Sequence, residues 1–157
     1  MALKFLNAYG CEVTAFSSSG NKEDEAKSFG ADYFVNSSDS VPLKKMSGSL
    51  DFIISTVNVT LDWPAYINLL RPKGRLHVVG AAMEPIPVPV FPLLLGQKSL
   101  SASPLGSPNS MGIMLEFAAR HQIEPMVEVY PMDKVNDAME KLRLGKPRYR
   151  LVLKNHD

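Results

Sequence analysis

Apolar residues in the opening segment recur at helical spacing. Leu3, Phe5, Leu6 and Tyr9 share one face, and Gly10 supplies a stop. Residues 11–16 then alternate and are rich in β-formers, which predicts a strand, and residues 22–29 return to helical spacing and end at Gly30. Residues 33–35 predict a short strand. Residues 50–54 predict a fuller one, an apolar run behind Asp51 of the kind that suits a buried parallel strand. Residues 61–70 predict a helix, with Asp62 near its start and Pro64 tolerated in its first turn. A turn at 71–74 leads into a strand at 75–79, closed by Gly80.

A proline-rich segment follows, MEPIPVPVFPLLLGQKS, with Pro85, Pro87 and Pro89 at every second position. Prolines on one side of an extended chain remove ladder donors on that side only, so the segment is compatible with an edge strand. Residues 98–102 predict a strand, 110–119 a helix and 127–130 a short strand. Residues 133–144 predict a strongly amphipathic helix stopped by Gly145 and Pro147, and 149–153 a closing strand. Strands alternate with helices throughout, which predicts βαβ units and a doubly wound parallel sheet with helices on both faces. No period repeats and no internal boundary stands out, so residues 1–157 read as one domain.

Composition narrows the function classes. Seventeen basic and sixteen acidic residues leave a net charge of +1, with no basic run to track a phosphate backbone, so nucleic acid is not an expected partner. The longest apolar stretch, around residues 88–95, is broken by Pro89 and Pro92. It falls well short of the ~20 residues that span a bilayer. No signal-peptide pattern is present, and a cytoplasmic chain is expected. Cys11 is the single cysteine; it cannot form an internal disulfide or a multi-cysteine zinc site, and is expected to be a small buried apolar residue. His77, His121 and His156 are spaced too far apart to suggest metal coordination.

In open α/β sheets, ligands bind beyond the carboxyl ends of the strands. The first strand is followed by Ser17, Ser18, Ser19, Gly20, Asn21 and Lys22, and no acidic residue appears until Glu23. A dinucleotide fold that uses NAD holds the adenosine ribose here with a carboxylate. Three hydroxyls and an ammonium instead suit a phosphate on that ribose, as in NADP. The same residues also read as a polar turn capping the next helix. Thr56 and Val57 follow the strand at 50–54, Gly80 and Ala81 the strand at 75–79, and Ser103 and Leu105 the strand at 98–102. Each of these reads equally well as an ordinary turn.

Taken together, several segments resemble the medium-chain zinc-type alcohol dehydrogenase superfamily, and its cinnamyl-alcohol-dehydrogenase-like branch in particular. MALKFLNAYGCEVTAFSSS resembles the family's first helix and second strand, KSFGADYFVNS its K-x-L-G-A-D segment, and LDFIISTV its D-x-I-I-D-T-V strand end. LLRPKGRLHVVG resembles its L-L-K-x-x-G strand, KSLSASPLGS its K-S-I-x-G-S-x-I-G-S, and VEVYPMDKVNDAMEKLRLGKPRYRLVL its closing helix and R-Y-R strand. The motifs are individually modest, but their order and spacing run nearly end to end.

The resemblance implies roles. Ser17, Ser18, Ser19 and Lys22 match the family's clamp on the NADP 2′-phosphate, and Thr56 and Val57 the turn beside the adenosine ribose. Val79, Gly80 and Ala81 match the backbone run near the nicotinamide, and Ser103 and Leu105 the stretch whose backbone holds the carboxamide. Pro104 departs from the pattern and removes one N–H donor there. In the family, G-x-G-x-x-G precedes the opening helix, so the chain is expected to be an incomplete Rossmann-like domain without the first strand and glycine-rich loop. Zinc ligands are expected only in a catalytic domain outside this chain. The implied function is the cofactor-binding part of a zinc-dependent NADP(H) alcohol dehydrogenase or aldehyde reductase. The alternatives are a non-catalytic nucleotide-binding or oligomerisation module and a zinc-free quinone-reductase relative. A homo-oligomer is expected through residues 86–102, bounded by Ile86 and Ala102. A break is expected between the strand at Cys11 and the strand at Leu50, where the family's central strand would lie.

Overall fold

The computed structural model describes residues 1–81 and 83–155; His156 lies outside them. Among these residues the chain runs α1 (Ala2–Ala8), β1 (Thr14–Ser17), α2 (Glu23–Ser28), β2 (Tyr33–Asn36), α3 (Ser40–Lys45), β3 (Leu50–Ser55), α4 (Trp63–Leu69) and β4 (Leu70–Val78). It continues through α5 (Val90–Gly96), β5 (Ser99–Ala102), α6 (Pro108–Arg120), β6 (Val127–Pro131), α7 (Val135–Arg143) and β7 (Arg150–Lys154). Two short 3₁₀ turns, Gly20–Lys22 and Met132–Lys134, lead into α2 and α7. The order is the alternation read from the sequence with α3 and α5 added, and every strand pair is parallel.

The strands form three ladders: β1–β2, β3–β4–β5 and β6–β7. No ladder joins β1 to β3 among the described residues, so the expected break is present and no rearranged pairing closes it. Side chains hold the two halves together instead. Trp63, Ile67 and Leu69 of α4 bury themselves against Ile53, Leu70 and Leu76 of the three-stranded sheet. Phe16 of β1 joins this core and meets Tyr66 of α4 edge-on, with ring centroids 5.8 Å apart. Successive strand residues face opposite ways, so the neighbour of Phe16, Ala15, points to the other side. There it packs with Ala26 of α2 and with Ala31, Leu3 and Phe34. Helices thus cover both faces of β1, as a doubly wound sheet requires. Phe117 of α6 stacks on Phe5 of α1 and on Tyr9 at its C-cap, at 6.0 and 4.5 Å between centroids.

Three readings are corrected. Residues 85–89 are not in a ladder, and the apolar run after them is the helix α5, not an edge strand. Pro89 sits at the N-cap, and Pro92 falls in the first turn, where a missing N–H costs nothing. Ile86, Val88 and Leu93 point inward to the core, and Phe91, Leu94 and Leu95 outward. The sheet edge belongs to β5. Secondly, α3 was not anticipated. It is one short helix, capped by Asp39, whose carboxylate accepts from the Val41 N–H at 2.9 Å, and it packs through Leu43. Thirdly, Cys11 is exposed, because it lies in the loop between α1 and β1 before the strand enters the core.

Candidate cofactor site

At the end of β1, Ser17 and Ser19 are half-buried while Ser18 and Lys22 are exposed. The turn is organised from within: the Ser19 N–H donates to the Ser17 hydroxyl at 3.2 Å, and the Lys22 N–H donates to the Ser19 carbonyl at 3.2 Å. It is also braced by a second polar run after β2, which the sequence reading had passed over. The Ser37 N–H donates to the Ser17 carbonyl at 2.9 Å, and the Ser38 hydroxyl donates to the Ser18 carbonyl at 3.2 Å. The Asn36 side chain accepts from the Ser38 N–H at 3.0 Å. The two strand ends therefore make one hydroxyl-rich cluster with an ammonium at its rim. Looking past the carboxyl end of every strand, β2 included, would have found Asn36, Ser37 and Ser38. Ser37 also hydrogen-bonds the Tyr66 phenol. Burial raises that phenol's pKa, the Ser37 bond offsets part of the rise, and Asp62 adds to it.

The second group lies past β3 and β4. Gly80 sits so close to the turn after β3 that a Cβ there would come within 2.1 Å of the Val57 carbonyl oxygen and 2.8 Å of the Thr56 carbonyl carbon. No other residue type allows this contact, which brings Thr56, Val57 and Gly80 together. The N–H groups of Val79 and Gly80 both donate to the Ser55 carbonyl, at 2.9 and 3.1 Å. The Ser55 hydroxyl is buried at the end of β3 without a hydrogen-bond partner. Such orphaned groups are costly, and this one is a polar atom left over at a strand end where a ligand is expected. Thr56, Val79 and Ala81 are exposed.

Past β5, the Ser103 N–H continues the ladder to the Val78 carbonyl at 3.3 Å. The His77 ring stands between two hydroxyls, with Nδ1 2.8 Å from Ser101 Oγ and Nε2 2.9 Å from Ser103 Oγ. This ties Ser103 to β4, a link the sequence reading did not foresee, since a cross-strand pairing depends on register. Leu105 is 94% exposed.

The donor set does not fit a metal. Among the described residues no group of three or more His, Cys, Asp or Glu side chains could hold one. Both nitrogens of His77 are engaged, and His121 stacks on Phe117 at 4.2 Å. The hydroxyl cluster, the Lys22 ammonium and the bare backbone at Gly80 fit a phosphorylated nucleotide better.

Comparison with known proteins bears on this arrangement. A family model described as zinc-binding dehydrogenase matches residues 1–120. The chain is 48% identical over 153 residues to the aldehyde reductase AdhA of a Synechocystis species, a match covering 98% of this chain and 46% of that protein. A solved cinnamyl alcohol dehydrogenase from Sorghum bicolor superposes with a TM-score of 0.90 at 39% identity, over 98% of this chain and 44% of that one. The cinnamyl alcohol dehydrogenase of Helicobacter pylori, solved in complex with NADP(H), does so with a TM-score of 0.81 at 30% identity, over 98% and 44%. The chain belongs to the zinc-binding dehydrogenase family of medium-chain alcohol dehydrogenases, in its cinnamyl-alcohol-dehydrogenase-like branch, and its fold is Rossmann-type. It spans about half the length of the curated relatives it matches.

Proposed function

We propose that this chain binds NADP(H) and is the cofactor-binding part of a zinc-dependent alcohol dehydrogenase or aldehyde reductase. The observation that carries the reading is the cluster at the end of β1. Hydroxyls of Ser17, Ser18 and Ser19 and the ammonium of Lys22 stand where an NAD-preferring fold needs a carboxylate. These groups would hold the 2′-phosphate. Thr56 and Val57 would lie beside the adenosine ribose, and Val79, Gly80 and Ala81 would offer backbone with no side chain in the way at Gly80. Ser103, steadied by His77, and Leu105 would meet the carboxamide. Bound NADP would supply hydride transfer to or from a primary alcohol or aldehyde. Zinc ligands, on this reading, come from the half of the relatives that this chain does not span. Among the described residues no helix is long and apolar enough to cross a membrane. The reading assigns the chain to the cytoplasm, whose reducing conditions suit an exposed free thiol such as Cys11.

Calorimetric titration tests the cofactor assignment. NADP(H) should bind more tightly than NAD(H), and Lys22→Ala should weaken NADP(H) the more. Equal or tighter NAD(H) binding counts against the clamp. The same hydroxyl cluster and the β5 edge, unpaired among the described residues, also suit one second reading, a nucleotide-binding or oligomerisation module without catalysis. It predicts the same binding but no alcohol oxidation by any assembly containing the chain.

The same proposal includes a homo-oligomer through residues 86–102. Its support is the outer edge of β5, which pairs with no strand among the described residues, beside the exposed Phe91, Leu94 and Leu95 of α5. An open edge next to apolar surface invites a second copy related by a two-fold axis.

A further inference from the structure

The proposed phosphate clamp has an electrostatic difficulty. The first turn of α2 carries Glu23, Asp24 and Glu25 directly after Lys22. Three carboxylates there repel a 2′-phosphate, and any one of them that pairs with Lys22 removes the cation meant for it. The structure disposes of two. Lys27 reaches back one turn to Glu23, at 2.7 Å. Glu25 is taken by a distant part of the chain: the Arg148 guanidinium lies 2.6 Å from its carboxylate, and the Tyr149 hydroxyl donates to the same oxygen. Lys22 is left with no ion pair among the described residues.

We infer that Arg148 and Tyr149 are specificity-determining positioning residues, which hold Glu25 away from Lys22 and so keep its ammonium available to a ribose 2′-phosphate. The inference rests on the clamp reading and deepens it. Arg148 is itself fixed from the far side. Its backbone N–H donates to Glu128 at 2.7 Å, and Glu128 is paired with Lys141 of α7. Tyr149 meets Phe29, at the end of α2, edge-on at 5.8 Å between centroids. The Glu25 side chain is only 19% exposed although it lies in the first turn of a surface helix, which fits a carboxylate docked against the segment before β7 and not one free to swing. Its acidity agrees: hydrogen bonds from Tyr149 and Arg148 hold its carboxyl below the ordinary range against the cost of burial, and Lys22 contributes least. The segment that joins α7 to β7 thus reaches α2, directly after the cofactor turn, through one carboxylate.

Adenosine 2′,5′-bisphosphate and adenosine 5′-monophosphate are probes that differ by the one phosphate in question. Their dissociation constants should be measured for the unsubstituted chain, for the Arg148→Ala/Tyr149→Phe double variant, and for that variant with Glu25→Gln added. The double variant frees Glu25 for Lys22. It should lose about threefold to fivefold in affinity for the bisphosphate, the scale of an exposed ion pair, and nothing for the monophosphate. Adding Glu25→Gln should restore the bisphosphate affinity, which a merely structural role of Arg148 would not allow. If the chain prefers the bisphosphate but the double variant keeps that preference, or Glu25→Gln fails to rescue it, the inference is overturned and the clamp stands. If the unsubstituted chain shows no preference or binds neither probe, the clamp reading falls and takes the inference with it. If the double variant fails to fold, the Arg148→Lys/Tyr149→Phe pair replaces it; its ammonium can still hold Glu25, so it should keep the preference, and loss of it overturns the inference.

Discussion

At the scale of single residues, Gly80 is the most constrained position of the candidate site. The turn after β3 and the exit from β4 touch through their backbones, and a methyl group there would collide with the Val57 carbonyl. Gly80→Ala should therefore push Thr56 and Val57 outward. The cost expected for overpacking a tight contact is about 1–3 kcal/mol. A urea-unfolding midpoint unchanged from that of the parent would show that the turn gives way freely and that the close approach is not required. Ser55 sits beneath this contact with its hydroxyl unpaired. Its carbonyl receives both the Val79 and Gly80 N–H groups, so its backbone is committed while its side chain remains available.

At the scale of elements, α5 separates two roles that the sequence had run together. Its inward residues complete the core, while Phe91 and Leu95 are 75% and 86% exposed. Charges at Val88, partly buried against the core that α4 and β4 form, would disturb folding and say nothing about association. Phe91→Glu with Leu95→Lys changes only surface. If copies join beside the β5 edge, this pair should convert a dimer to a monomer in sedimentation at micromolar concentration, with the unfolding midpoint of the monomer unaltered. A parent chain that sediments as a monomer, or a dimer indifferent to the pair, would exclude this surface as the contact. The helix reads as a strand from sequence because VPVFPLLL is apolar without a helical stripe, and α5 shows why no stripe is needed: it is two turns long, and Val90, Phe91, Leu94 and Leu95 face outward while Leu93 alone of its leucines packs on the core.

At the scale of the whole molecule, the β6–β7 ladder is fastened by acidic groups whose ionisation matters. Hydrogen bonds from Tyr149 and Arg148 lower the pKa of Glu25, and hydrogen bonds from Lys141 and the Arg148 N–H lower that of Glu128. In the unfolded chain both return to ordinary carboxyl values, so the unfolded state takes up protons first. Their contribution is complete above the ordinary glutamate value, about 4.3, and is lost as pH falls through the lower folded values. The urea midpoint should fall between about pH 5 and about pH 3, and a Glu25→Gln/Glu128→Gln variant should show a flatter dependence. Equal slopes in parent and variant would mean that other carboxylates govern acid unfolding.

The sequence by itself determined the alternation of strands and helices apart from α3 and α5, the parallel sheet class and the family. These follow from local period, capping residues and motif spacing, which every segment carries within itself. It also marked the strand ends proposed to hold the cofactor, because Ser17 to Ser19, Thr56 and Gly80 stand at the ends of apolar runs. Only the tertiary structure decided what those ends touch. The brace from Ser37 and Ser38 onto the serine turn, the His77 ring between Ser101 and Ser103, and the grip of Arg148 on Glu25 join residues 20 to 123 positions apart in the chain. Such contacts depend on strand register and on which helix face turns inward, and both are fixed when the whole core packs, not by any one segment.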